Sequence, residues 1–212
     1  EIVEARRGRR VRSKDLGGGI KPEVLGYKFS MSDFTYFAYG SNMLLERLRA
    51  ADRCPSARVI CAGMAQDFAV CFAKRSKDGS GKATLIQRPG ASAYGVLFAI
   101  AESEREKLKK IEGAEIHYHS VDDFPVRDVR GESELRALTF FASDDYFATD
   151  LQPFDWYHAL VCAGATQNAL PEEYLRLLRE AERIADPVDA RSTRIEALRV
   201  LKQAGFERLL GK

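Results

Sequence analysis

The sequence predicts an α+β protein, with one mixed sheet or barrel and helices laid over it. Two observations carry this reading. Short apolar runs of strand length dominate from Thr35 to about residue 142, with β-branched or aromatic content and Gly, Pro and Asp punctuation between them. After Pro153 the apolar period turns helical, so strands come first and helices last instead of alternating. A chain of 212 residues, 45% of them hydrophobic, can bury a core of its own without a metal or disulfide staple.

Before these elements comes a basic segment. Residues 1–30 carry eight Lys or Arg against four Asp or Glu, most of them in the run at 6–12, and residues 17–19 are all glycine. With few aromatics and no sustained apolar period, this stretch cannot offset its ordering entropy by burial. It is expected to be a mobile, dispensable leader, with Met31 opening the first globular-looking stretch. Its other use would be an electrostatic contact with phosphate or an acidic surface. Residues 31–212 hold 25 basic and 27 acidic residues, so the body offers no charge-based case for nucleic acid.

Taken in order, Tyr36–Tyr39 reads as a short strand ended by Gly40, Ser41 and Asn42, which start a helix near Met43–Arg49. Strands are expected at 58–63, 67–74, 83–87 and 93–100, with a mobile turn at 77–82. Residues 102–111 read as a helix, with Ser103 and Glu106 spaced as a capping box and Gly113 placed to stop it. Strands follow near 117–129 and 135–142. Helices are expected over 155–164, from Pro171 through Leu175, Leu178, Ala181 and Ile184, and from Ser192 to Ala204 with Gly205 as the stop.

No apolar run approaches the roughly 20 residues that span a bilayer, so no membrane partner is expected. Cys54, Cys61, Cys71 and Cys162 show no CxxC spacing and fit a reducing compartment, which makes the cytoplasm the expected location.

The junction at 39–42 bears the most chemistry. Gly40 permits a tight turn, Ser41 and Asn42 are good N-caps, and the first amides of the following helix would face outward at its positive end. A carboxylate, a phosphate or a developing oxyanion would suit such a place, and an ordinary capped turn would look the same. Walker spacing is absent. Ser41 at a strand-to-helix turn could be a nucleophile, but Tyr39 and Met43 break the GxSxG elbow pattern. His117 with His119, and His158 with Cys162, share faces in a way that metal ligation could use, although hydrogen-bonded side chains explain them equally.

The longer string Tyr36–Met43 closely resembles the signature that opens the γ-glutamylcyclotransferase family. Ala65–Phe68, Tyr94–Phe98, Ile111–Gly113, Cys162–Ala165 and Asn168–Pro171 with Tyr174 resemble later family segments, in family order. The resemblance covers roughly residues 35–180. It implies a small mixed β-barrel or strongly curved sheet flanked by helices, with a leader over 1–32, a catalytic domain over 33–185 and a helical C-terminal extension over 186–212.

It also implies a reaction. The α-amine of a γ-glutamyl amide attacks its own γ-carbonyl, closing 5-oxoproline and releasing an amino acid or amine. On this resemblance Glu112 is the general acid/base, and Tyr36, Phe37, Ala38, Tyr39, Gly40, Ser41, Asn42, Tyr118 and Tyr157 bind substrate. No cofactor and no metal are expected. The partner is a small-molecule γ-glutamyl substrate, the oligomeric state stays open, a homodimer included, and a non-catalytic anion-binding module on the same fold is the alternative. The leaving half of the substrate is undetermined: a γ-glutamyl amino acid, a γ-glutamylamine and ε-(γ-glutamyl)-lysine share the half that the loop and Glu112 would grip.

Overall fold

The computed structural model describes residues 32–210, together with the backbone of two short strands at 23–24 and 27–28. Strand β1 (Glu23–Val24) pairs antiparallel with β2 (Tyr27–Lys28). The rest of the expected leader lies outside the described residues. The body consists of β3 (Asp33–Ala38), α1 (Leu45–Leu48), β4 (Arg58–Arg75), β5 (Gly81–Ala101), α2 (Arg105–Glu112), β6 (Tyr118–Asp128), β7 (Glu134–Ala142), α3 (Asp155–Gln167), α4 (Glu172–Glu180) and α5 (Ser192–Gln203).

Five strands close into a barrel in the order β3-β5-β4-β6-β7. Neighbours are antiparallel except at closure, where β3 meets β7 in parallel at Tyr36 and Leu138. The β4–β6 contact that completes the ring is short, Gly63 with Asp128 and Met64 with Arg127. The expected α+β class, a small mixed barrel flanked by helices, is the observed one.

Four expected short strands are two long ones. The apparent breaks near 64–66 and 88–92 are a bulge within a continuous hairpin: Gln66 pairs with Ser92 and the next pair is Phe68 with Gln87. Asp67 takes φ of 63°, and its carboxylate accepts the Gly90 amide at 2.8 Å. Turn-forming residues thus mark a kink that re-aims the ribbon, not its end. The 77–82 turn is cross-tied: Asp78 accepts from the Ser80 amide, the Ser80 hydroxyl and the Lys82 ammonium at 3.0, 2.7 and 3.0 Å.

One helix start and one helix end also differ from expectation. The 102–112 helix opens with a 3₁₀ turn over Glu102–Glu104, and no side chain caps α2, so the Ser103–Glu106 box does not form. Glu104 instead accepts from the Ser56 hydroxyl at 2.6 Å. Its end is as expected: Gly113 takes φ of 67°, which a side chain would strain, and stops the helix directly after Glu112. Likewise α4 ends at Glu180, leaving Ala181 and Ile184 outside it.

Helix α3 is buried on nearly all sides, from Trp156 to Ala165, as an apolar helix at the centre of a core must be. On its outer flank α5 contributes Ala197, Val200 and Leu201 to the same core. The link between α4 and α5 is pinned by Asp186. Its buried carboxylate accepts from Arg191 at 2.6 and 3.0 Å, from the Trp156 indole at 2.8 Å and from the Val188 amide at 2.9 Å.

Those donors, Arg191 first, hold the Asp186 carboxyl down at about 2, well below the usual carboxylate range. Its contribution to stability is complete above the ordinary carboxylate pKa and is lost as pH falls from about 4 toward about 2. Asp186→Asn is expected to cost about 2 kcal/mol near neutral pH. In denaturant titrations the gap between wild type and variant should narrow steadily as pH falls from about 4 through about 2. A gap independent of pH would mean that the carboxylate charge is not what Arg191 reads.

Candidate active site

A cavity opens where β3 runs into a 3₁₀ turn over Ser41–Met43. Tyr36, Tyr39, Gly40, Ser41, Asn42, Ala83, Glu112, Tyr118, Phe140 and Tyr157 line it. Of the residues expected from sequence, eight meet here from four separate parts of the chain. Phe37 and Ala38 are not in the wall. Strand alternation turns Phe37 away from Tyr36, and its ring stacks on Phe124 at 6.3 Å in the core. Ala38 is buried in the pairing with Val96 of β5.

The turn is tighter than the expected capped helix. Gly40, not Ser41 or Asn42, occupies the cap position without a side-chain cap, the Gly40 carbonyl accepts the Met43 amide at 3.0 Å, and Leu44 is extended before α1 begins. The Ser41 and Asn42 side chains are therefore released for other partners. Asn42 donates its side-chain amide to Glu112 Oε1 at 2.7 Å and lies 3.2 Å from the Tyr36 hydroxyl. Ser41 Oγ accepts from Arg47 Nε at 3.2 Å.

Glu112 reaches this cavity because Gly113 ends α2 there, leaving the carboxylate half-buried with one oxygen on Asn42. Across from it, Ala83 of β5 ties two phenols together: its amide donates to the Tyr157 hydroxyl and its carbonyl accepts from the Tyr118 hydroxyl, both at 3.1 Å. Tyr39 donates to the Phe140 carbonyl. Burial, with Glu112 among the secondary causes, pushes the Tyr36, Tyr39, Tyr118 and Tyr157 phenols above their usual value, so all four are neutral hydroxyls at physiological pH. Burial also lowers Arg47, to about 10, which leaves its guanidinium charged there.

Sequence reading missed Ala83 and Phe140, which act through backbone atoms that carry no side-chain signal. It also missed Arg47, which is visible only as one more arginine on a short helix. His158 Nε2 lies 2.6 Å from the Leu178 carbonyl, and His117 meets the Tyr146 ring edge-on at 4.5 Å. Among the described residues no group of three His, Cys, Asp or Glu side chains converges to hold a metal, and no helix is long and apolar enough to cross a membrane.

Residues 92–178, which include Glu112, Tyr118 and Tyr157 of this cavity, match the AIG2-like family. Beyond that class, γ-glutamylcyclotransferases from human and mouse are each 32% identical to this chain over 154 residues, covering 70% of it and 79% of the relative. A solved γ-glutamyl cyclotransferase superposes with a TM-score of 0.70 at 28% identity, covering 79% of this chain and 98% of the other. A solved human protein described as uncharacterized gives 0.69 at 28% identity, covering 79% and 99%. The chain belongs to the γ-glutamylcyclotransferase family.

Proposed function

We propose that this chain is a γ-glutamylcyclotransferase, an enzyme that releases 5-oxoproline from γ-glutamyl amides with Glu112 as its proton shuttle. The observation that carries the mechanism is the meeting of Glu112 and Asn42, 70 residues apart, on the wall of one tyrosine-lined cavity. The substrate supplies its own nucleophile, so the protein has three tasks: to bend the substrate, to move a proton and to stabilise an oxyanion. Well-oriented intramolecular attack reaches effective molarities of about 10⁵ M or more.

In the proposed sequence Glu112 takes a proton from the substrate α-amine as its nitrogen closes on the γ-carbonyl carbon. The new C–N bond forms, negative charge grows on the carbonyl oxygen, and backbone amides of the turn at Gly40–Asn42 stabilise it. Glu112 then returns the proton to the leaving nitrogen as the original amide C–N bond breaks. Asn42 fixes the carboxylate through one oxygen and leaves the other for the transfer. Arg47, behind Ser41, supplies positive charge on the side where the glutamyl α-carboxylate would sit. Phe37 and Ala38 act as support, since neither borders the cavity.

The test is a panel of γ-glutamyl compounds that differ only in the leaving amine, with 5-oxoproline as the measured product. At least one member should be turned over. A panel with no product, in the presence of measurable γ-glutamyl binding, would instead identify a non-catalytic ligand-binding protein on the same fold.

A further inference from the structure

We infer that Glu196 of α5 and Arg47 of α1 are positioning residues, which together fix the Ser41 hydroxyl as a hydrogen-bond donor on the cavity wall. This rests on the cyclotransferase reading above and deepens it, because it makes the C-terminal helix part of what holds the substrate. Neither residue borders the cavity; Ser41 does, and they act through it.

Helix α1 is four residues long, too short to hold itself by its own hydrogen bonds. It is gripped from two sides. From α3, Gln167 accepts the Leu45 amide at 3.0 Å and donates to Glu46 at 2.7 Å. From α5, the Glu196 carboxylate lies 3.5 Å from Arg47 Nη1. Ala197, the next residue, is fully buried and seats α5 at this point.

Arg47 spans the gap between α5 and the turn. Its Nη1 faces Glu196, and its Nε donates to Ser41 Oγ at 3.2 Å. A serine hydroxyl has one proton and two lone pairs. With a lone pair taken by Arg47, the Ser41 proton turns away from the guanidinium, toward the cavity that Ser41 lines. The Tyr157 hydroxyl stands on that side. Burial raises its phenol, and the Ala83 amide, the Arg47 charge and a hydrogen bond from Ser41 oppose the rise. A donor at Ser41 suits an anionic group of the glutamyl half, whereas a freely turning hydroxyl would present a lone pair as readily as a proton.

Glu196 keeps Arg47 in this place. The Arg47 side chain is only 13% exposed, and among the described residues Glu196 is the one carboxylate within ion-pair distance of it. Arg53 pushes the other way: its charge disfavours that of Arg47, and its own Nε is buried without a hydrogen-bond partner. A buried guanidinium that loses its counter-charge and faces a second cation moves toward water. Ser41 then loses the donor that orients it.

A double-mutant cycle on the full chain tests this, with kcat/KM measured on the γ-glutamyl compound of the panel that wild type turns over fastest. Ser41→Ala should lower it about tenfold or more, the worth of one hydrogen bond to a charged group. Glu196→Gln should lower it about three- to tenfold, by a similar factor for every leaving amine. Arg47→Lys, which keeps the charge but not the fork that reaches both partners, should do the same. In the Ser41→Ala background, Glu196→Gln should cost no more than about twofold further. Wild-type kcat/KM in Ser41→Ala or in Glu196→Gln overturns the inference and leaves the cyclotransferase reading standing. So do losses that multiply in full in the double variant, since α5 would then support the fold without acting through Ser41. No turnover of any panel member by wild type overturns that reading, and this inference with it.

Discussion

Glu112→Gln is expected to lower 5-oxoproline release by about 10²–10⁴-fold, the usual worth of a positioned general acid/base. The replacement is close to isosteric, and its side-chain oxygen can still accept the hydrogen bond that Asn42 donates to the carboxylate. What it loses is the capacity to take a proton from the α-amine and return it to the departing nitrogen. Because Glu112 sits at the last position of α2 and is only half-buried, the change should leave thermal stability near that of wild type. The informative measurement is therefore the pair of turnover and melting temperature. A variant that keeps wild-type turnover shows that another group shuttles the proton, and one that also melts early shows that Glu112 matters to the fold instead. Glu112→Asp, which keeps the acid but withdraws it from Asn42, should fall between the two.

Gly164→Ala should cost about 3 kcal/mol, the upper part of the range for overpacking a tight contact. A Cβ at Gly164 would stand 2.5 Å from the Leu44 nitrogen and 2.7 Å from the Met43 carbonyl carbon. These are backbone atoms and cannot turn aside as a side chain would. The same stretch of α3 grips the loop by hydrogen bonds, since Asn168 donates to the Met43 carbonyl at 3.0 Å and Gln167 accepts the Leu45 amide at 3.0 Å. A methyl group there must push the turn at 41–44 off the helix. Displacement of substrate-positioning groups by about 1 Å can cost about 10²-fold in rate. Turnover and melting temperature should thus fall together, in contrast to Glu112→Gln. Full activity in Gly164→Ala would show that the turn tolerates displacement from α3.

Much of this site is legible in the residues themselves. Tyr36–Asn42 reads as a strand leading into a tight turn, and Gly113 marks the helix stop that leaves Glu112 at its end. Gly164 and Asn168 stand out as parts of a motif, although what they do is visible only once α3 lies against Met43 and Leu44. Less legible was the continuity of the long hairpin. The breaks expected at 64–66 and 88–92 flank a bulge at Asp67 and Gly90, and a residue that favours φ > 0 looks the same in a loop as in a bulge. The Ser103–Glu106 pattern misled for a related reason: a cap needs both partners free, and a 3₁₀ turn supplants the cap geometry there.

The sequence alone determined the order of strands and helices, the turn after Tyr39 and the position of an acid at a helix end. Those features depend on φ/ψ preference and apolar period within a few residues. The tertiary structure decided which side chains share the cavity. Barrel closure brings Ala83 to Tyr118 and Tyr157, and Glu112 to Asn42, while it sends Phe37 into the core. Partners 35 to 74 residues apart meet only when the whole sheet is paired. No local preference encodes that pairing, and the free energy that holds it is spread over the entire core.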